Sequence, residues 1–81
     1  MKESGKLIKL RVGLGRLIRK YRLKLKLSQE TLAEKADIHR TYVSDIELGK
    51  VDISITVAYK LAKALNLSFG RLVKEAEAML A

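Results

Sequence analysis

The segment LSQETLAEKADIHRTYVSDIELGK, residues 27–50, decides the fold. Ser28 is a favoured N-cap residue, and small and apolar residues recur at helical spacing for about two turns after it. Asp37 tolerates left-handed backbone, so we expect the helix that starts after Ser28 to end there. A second short helix begins near His39 or Arg40 and ends at Gly49, a residue typical of helix C-termini. Helices this short bury little surface alone, so the pair predicts a helix-turn-helix unit over residues 28–48.

Three further helices are predicted around this unit. The apolar pattern before it indicates a helix over residues 13–26, and Ser54 and Ser68 are placed to cap a fourth and a fifth helix. The fifth helix extends over residues 69–80. Proline is absent and the connections are short. We therefore expect an all-α, compact five-helix domain over residues 13–81, preceded by a basic N-terminal arm over residues 1–12.

The composition excludes several classes of protein. The chain has 81 residues, 48% of them hydrophobic and 32% charged, which is typical of one small folded domain. There is no cysteine, so neither a disulfide framework nor a thiolate zinc site is possible. No apolar run is long enough to span a membrane, and the charged N-terminus is not followed by a signal-peptide core. We expect a cytoplasmic protein.

Positive charge is concentrated in the first third of the chain. Residues 1–27 hold ten Lys or Arg against one acid, a net charge of +9, whereas residues 28–81 hold seven against eight. Such a block suits two partners, nucleic-acid phosphate or an anionic membrane surface. Charge alone does not choose between them.

The helix-turn-helix segment also resembles a known family. Residues 27–50 look like the helix-turn-helix of the phage lambda repressor and Cro family, also called the Xre family, and within them RTYVSDIELGK resembles the recognition helix of restriction-modification controller proteins. Residues 61–68 are similar to the family's fourth helix and following turn. The resemblance implies a lambda repressor-like fold and a prokaryotic or phage-encoded transcriptional regulator, repressor or controller, that binds double-stranded DNA sequence-specifically.

The resemblance also assigns roles to individual residues. It places Gln29, at the start of the second helix, over a phosphate, and it puts the start of the third helix into the major groove. Arg40 is the first candidate for reading a base, since a bidentate contact from arginine to guanine is the commonest specific contact. Tyr42 and Lys50 flank the groove as phosphate contacts. The candidate readers of sequence are His39, Arg40, Thr41, Ser44 and Asp45.

Two further implications concern structure and assembly. The resemblance suggests that Arg22 pairs with Glu47 and ties the recognition helix to the domain. The apolar stripe of the last helix is longer than so small a core needs, so we expect a homodimer on a near-palindromic operator, although a stripe of this kind also suits an intramolecular core. The predicted dimer interface consists of Phe69, Leu72, Val73, Ala76 and Leu80.

The sequence departs from the family at two places. Asp37 stands where the family often has glycine, and residues 51–53 replace a basic residue and proline that many relatives carry after Gly49. We expect the basic arm and first helix to supply backbone contacts instead, through Lys9, Arg11, Arg16, Arg19 and Lys20.

Catalysis and metal binding are not expected. His39 is the only histidine and has no cysteine partner, so the sequence predicts no metal site, no cofactor and no enzyme. We expect no membrane association and no small-molecule effector. The alternative to a DNA-binding regulator is a basic membrane-surface or partner-binding helical module. Within the leading class, a phage repressor, a controller protein and a DNA-binding antitoxin share one surface.

Overall fold

The computed structural model describes residues 4–80, which form five helices and no strand. In chain order they are α1 (Gly5–Lys24), α2 (Gln29–Ala36), α3 (Arg40–Glu47), α4 (Ile55–Ala64) and α5 (Phe69–Ala78). The predicted all-α, five-helix architecture is confirmed. Within the described residues, no helix is both long and apolar enough to cross a membrane.

A polar side chain caps the start of every helix. The serine hydroxyls of Ser28, Ser54 and Ser68 accept backbone N–H bonds from the first turns of α2, α4 and α5. These are the three serines that the sequence indicated as caps. Ser4 caps α1 in the same way. Because each cap satisfies an otherwise unpaired amide, the four serines fix where these helices begin.

Within residues 4–80, each of the helices α1 to α4 is followed by a turn that contains one residue in the left-handed conformation. Lys26, Asp37, Gly49 and Asn66 have φ between 55° and 70°. In each turn the next residue donates its N–H to a carbonyl inside the preceding helix, as Ile38 does to Ala33 at 3.0 Å. The prediction for Asp37 is confirmed, since its φ is 55°. Turns of this type reverse the chain in few residues, which lets short helices pack closely.

The core contains at least one residue from each helix. α1 packs against α3 and α5, α2 packs against α3 and α4, and α4 packs against α5. Apart from Tyr21, the core is aliphatic, as expected from a chain with few aromatic residues. The largest fully buried side chains are Ile18, Leu32, Val43, Ile46, Leu61 and Leu72.

The first helix begins earlier than the sequence pattern indicated. α1 starts at Gly5, so the prediction of a helix starting at residue 13 is wrong, and the predicted arm is helical over residues 5–12. The physical reason is a cap at Ser4 together with Leu10 and Leu14, one turn apart, which pack against the core. Residues 1–3 of the predicted arm lie outside the described residues.

Candidate nucleic-acid interface

The third helix presents a polar outer face and an apolar inner face. Successive residues of an α-helix are turned by about 100°, so residues three and four apart share a side. Val43 and Ile46 are fully buried on the inner side. Arg40 and Thr41 are exposed, and Ser44 and Asp45 are half-buried beside them. We call Arg40, Thr41, Ser44 and Asp45 the α3 outer face; these four predicted base readers lie together.

His39 caps the start of α3. Its ring Nδ1 accepts the backbone N–H of Thr41 at 3.2 Å, so a neutral ring carries its proton on Nε2. The ring is exposed at the end of the helix where Arg40 and Thr41 also project. His39 therefore has a structural role as a cap, and its Nε2 edge is open to a ligand.

A buried ion pair holds α3 to the rest of the domain. Arg22 donates from Nε to Glu47 Oε2 at 2.7 Å and from Nη2 to Glu47 Oε1 at 2.9 Å. Arg22 also donates to the carbonyl of Leu27 at 2.8 Å, and the Glu47 side chain is only 1% exposed. The hydrogen bonds with Glu47 raise the pKa of Arg22 above its ordinary value. The structure thus brings together the two residues that the sequence paired.

Gln29 extends this pair to the second helix. Its side-chain amide donates to Glu47 Oε1 at 3.1 Å, so Gln29, Arg22 and Glu47 form one connected group across α1, α2 and α3. The family resemblance implies that Gln29 lies over a phosphate, and the structure adds this contact inside the protein. Its backbone N–H remains part of the first turn of α2, where amide donors and the helix dipole favour an anion.

Lys50 follows the end of α3, and Tyr42, in the first turn of α3, contacts the loop that follows the helix. Lys50 is exposed directly after the left-handed Gly49. Tyr42 is half-buried, and its hydroxyl donates to the Asp52 carbonyl at 3.4 Å. Both predicted phosphate contacts are therefore near the α3 outer face but not on it. Leu48, which the sequence analysis did not select, is 59% exposed at the same end of the helix.

Gly15 was not identified from the sequence, although it determines how closely α1 and α3 approach. A Cβ at this position would overlap the backbone carbonyl oxygen of Ile46. The signal was available, because Gly13 and Gly15 interrupt a segment that otherwise consists of helix-forming residues, and glycine inside a helix destabilises it unless something requires the space.

The surface around α1 is strongly positive. Residues 4–27 contain nine Lys or Arg and no acid. Arg22 is neutralised by Glu47, and Arg11 lies 3.4 Å from the exposed Asp52. Lys9, Arg16, Arg19 and Lys20 are exposed. This side of the domain is suited to a polyanion.

The predicted dimer interface is divided between core and surface. Leu72 and Ala76 are buried inside the single chain, at 0% and 3% exposure, so the prediction that they form an interface is corrected. They are buried because α5 packs this side against α1 and α4. Val73 is 46% exposed, and Phe69 and Leu80 are half-buried.

Two residues of α4 continue the exposed apolar surface. Ile55 is 73% exposed and Tyr59 is 52% exposed, and the Tyr59 ring lies 6.2 Å from the Phe69 ring. Ile55 and Tyr59 are one turn apart on α4, as Phe69 and Val73 are on α5. We call Ile55, Tyr59, Phe69 and Val73 the α4–α5 apolar patch.

Metal ligands are not grouped in the part of the chain that the structure describes. No three His, Cys, Asp or Glu side chains of residues 4–80 lie close enough to hold an ion.

Comparison with known proteins identifies a family and relatives that match most of the chain. The helix-turn-helix family profile matches residues 18–72. The control protein C.BamHI of Bacillus amyloliquefaciens is 44% identical over 59 residues, which are 72% of this chain and 73% of that protein.

Two solved structures have the same fold. The controller protein C.AhdI from Aeromonas hydrophila superposes with a TM-score of 0.73 at 38% identity, covering 75% of this chain and 92% of that one. The controller protein C.Esp1396I, as a tetramer in complex with its natural 35 base-pair operator, superposes with a TM-score of 0.74 at 33% identity, covering 93% and 99%. The chain belongs to the helix-turn-helix family of the lambda repressor and Cro, or Xre, type, in which restriction-modification controller proteins are its relatives.

Proposed function

We propose that this protein is a transcriptional regulator that binds double-stranded DNA sequence-specifically and reads the major groove with α3. The observation that carries the proposal is the α3 outer face, a row of polar side chains on a helix fixed to the domain by the Arg22–Glu47 pair. A helix presented in this way fits the major groove, whose width admits one α-helix. The relative C.Esp1396I, which shares the fold, forms a complex with its operator.

The roles within the surface follow from position and chemistry. Arg40, at the first position of α3 and exposed, is the proposed base reader and is suited to guanine. Thr41 offers a methyl group or a hydroxyl, and Asp45 accepts from cytosine or orients Arg40. Ser44 completes the reading face. His39 adds its Nε2 edge.

Other residues are proposed to contact the DNA backbone. Lys50 supplies a charge, and Tyr42 supplies its hydroxyl proton when the hydroxyl turns from the Asp52 carbonyl to a phosphate oxygen. The first turn of α2 at Gln29 supplies amide donors. The exposed lysines and arginines of α1 add sequence-independent attraction, which makes binding depend strongly on salt.

We infer that the regulator acts as a homodimer through the α4–α5 apolar patch. Ile55, Tyr59 and Val73 are exposed in a single chain, and the half-buried Phe69 lies beside Tyr59, so a second copy related by a two-fold axis would cover apolar surface here. One short helix reads too few base pairs to select a genomic site, and a second copy doubles the reading. The operator is then near-palindromic, with recognition helices about 34–36 Å apart.

Among the regulator classes that share this surface, we favour the restriction-modification controller. The supporting observation is the 44% identity to C.BamHI, together with the structural likeness to C.AhdI and C.Esp1396I. Phage repressors and DNA-binding antitoxins are the other candidates in this class. If this protein is a controller, we expect footprinting to show that it protects duplexes upstream of restriction-modification genes in preference to other promoters.

Selection of bound duplexes from a random pool tests the proposed function as a whole. We expect one near-palindromic motif, bound at physiological salt about 10³-fold or more tightly than random duplex. Equal affinity for selected and random duplexes contradicts the proposal. Binding to anionic vesicles in that case favours the membrane-surface interpretation.

A further inference from the structure

Arg11 joins the N-terminal half of α1 to the loop between α3 and α4. Its Nε donates to the Gly49 carbonyl at 3.1 Å, and its Nη1 lies 3.4 Å from Asp52 Oδ1. Its side chain is 22% exposed, whereas that of Asp52 is 85% exposed. An exposed ion pair contributes little, so of these two contacts the bond to the Gly49 carbonyl is the stronger one.

This bond acts on the peptide unit that precedes Lys50. Gly49 donates its N–H to Ile46, and Lys50 donates its N–H to Asp45, both at 3.0 Å, which closes the end of α3. On the α1 side, a Cβ at Gly49 would lie 2.9 Å from Cγ2 of Val12. The chain at Gly49 and Lys50 is thus held from α3 by the N–H groups of these two residues and from α1 by Arg11 and Val12.

The far end of the loop is fixed in turn to α3. The carbonyl of Asp52 accepts the Tyr42 hydroxyl at 3.4 Å, while its carboxylate faces Arg11. Lys50 therefore lies between two points, Gly49 and Asp52, that both contact Arg11.

We propose that Arg11 is a positioning residue for DNA binding, which sets the place of Lys50 relative to the α3 outer face without touching DNA. The inference rests on the proposed function, in which Lys50 contacts a phosphate. This role for Arg11 means that the first part of α1, residues 5–12, contributes to recognition through a loop more than 30 residues away in sequence. Two other accounts of Arg11 are a direct phosphate contact and a purely structural contribution to folding.

Hydrogen exchange measured by NMR separates positioning from folding. In Arg11→Ala we expect the Lys50 amide to exchange about tenfold faster, because its bond to Asp45 opens when the Gly49 carbonyl is released. The amide of Leu65, bonded to Leu61 in the core, keeps its rate. Lys9→Ala is the matched control, since it removes the same charge from the same helix and Lys9 is exposed. An unchanged Lys50 amide, or equal acceleration at Leu65, overturns the proposal.

Operator binding then separates positioning from direct contact. We expect Arg11→Ala to weaken the selected duplex about as much as Lys50→Ala does, and to lower the log–log salt slope by about 0.9. The double variant, Arg11→Ala with Lys50→Ala, should bind no more weakly than Lys50→Ala alone, because both substitutions remove the same contact, that between Lys50 and a phosphate. Additive losses show that Arg11 touches DNA itself, and unchanged affinity shows that the loop position is unimportant; either result overturns the proposal.

The same set of variants distinguishes this inference from the proposed function. If Lys50→Ala binds the selected duplex like the wild type, the phosphate contact assigned to Lys50 is wrong. This result concerns the proposed function alone, because Arg11 is unchanged in that variant. If Arg11→Ala fails to fold, Arg11→Lys replaces it, because lysine keeps the charge but loses the Nε donor. We expect an intermediate Lys50 exchange rate in that variant, and a wild-type rate contradicts the role of the Gly49 bond.

Discussion

Gly15 of α1 packs directly on the carbonyl oxygen of Ile46 in α3, with no space for a Cβ between them. Gly15→Ala should therefore lower the free energy of unfolding by about 2–4 kcal/mol, since backbone rather than a flexible side chain has to move. Gly70→Ala is the matched control: nothing lies within 4 Å of its Cβ, and it should stabilise α5 by about 0.5–1 kcal/mol. Urea unfolding of both variants is the measurement, and two variants of equal stability contradict this account of the contact.

The Arg22–Glu47 pair gives a second prediction. Glu47→Gln should lower the free energy of unfolding by about 3–5 kcal/mol, because the buried guanidinium loses its compensating charge. Glu34→Gln, an exposed position on α2, should change it by less than about 0.5 kcal/mol. Denaturant unfolding decides. If Glu47→Gln lowers the free energy of unfolding no more than Glu34→Gln does, the Arg22–Glu47 pair does not hold α3 in place.

The contact between Tyr21 and Glu75 predicts a pH dependence. The Tyr21 hydroxyl lies 2.6 and 2.7 Å from the two Glu75 carboxylate oxygens, which lowers the pKa of Glu75 and raises the pKa of Tyr21. Because the pKa of Glu75 is lower in the folded chain, its contribution to stability is present above the ordinary carboxyl pKa of about 4.3 and is lost as pH falls through the folded value.

Tyr21→Phe should therefore shift the NMR titration of Glu75 upward and reduce the difference in stability between about pH 6 and pH 3. Glu77→Gln, an exposed change on the same helix, should leave the Glu75 titration where it is in the wild type. An ordinary carboxyl titration of Glu75 in the wild type rules out the proposed cause.

If the α4–α5 apolar patch is the dimer interface, a single substitution in it should dissociate the dimer while each chain stays folded. Val73 is 46% exposed in one chain, so Val73→Asp should give folded monomers by sedimentation and circular dichroism. Lys74→Asp, beside it on α5 and also exposed, should remain dimeric. Leu72→Ala is different, because Leu72 is fully buried, and should cost about 2–5 kcal/mol of stability. A wild type that is monomeric at tens of micromolar sinks the dimer proposal.

Much of the fold follows from local sequence. Serine caps and left-handed turn residues act within a few positions along the chain, so Ser28 and Asp37 locate the second helix before any tertiary contact is considered. The apolar positions of α3 also point inward as predicted, because Val43 and Ile46 recur at helical spacing.

What the sequence did not predict depends on contacts between distant residues. The start of α1 is stabilised by Leu10 and Leu14 against the core, and helical spacing alone did not separate them from an arm. The stripe of α5 has one apolar pattern, yet Leu72 is in the core and Val73 is on the surface, because neighbouring helices cover only one side. The bond between Arg11 and Gly49 joins residues 38 positions apart, which no local pattern indicates.

The most direct test of specific reading by α3 is a competition assay of wild type and Arg40→Ala on the selected duplex and its single-base variants at physiological salt. We expect Arg40→Ala to lose about 1–3 kcal/mol on the preferred duplex and to lose its base preference at one position of each half-site, with the other preferences kept. Lys50→Ala, the matched loss of one charge, should weaken all duplexes alike. A uniform loss in Arg40→Ala with every base preference intact would contradict the claim that α3 reads sequence through Arg40.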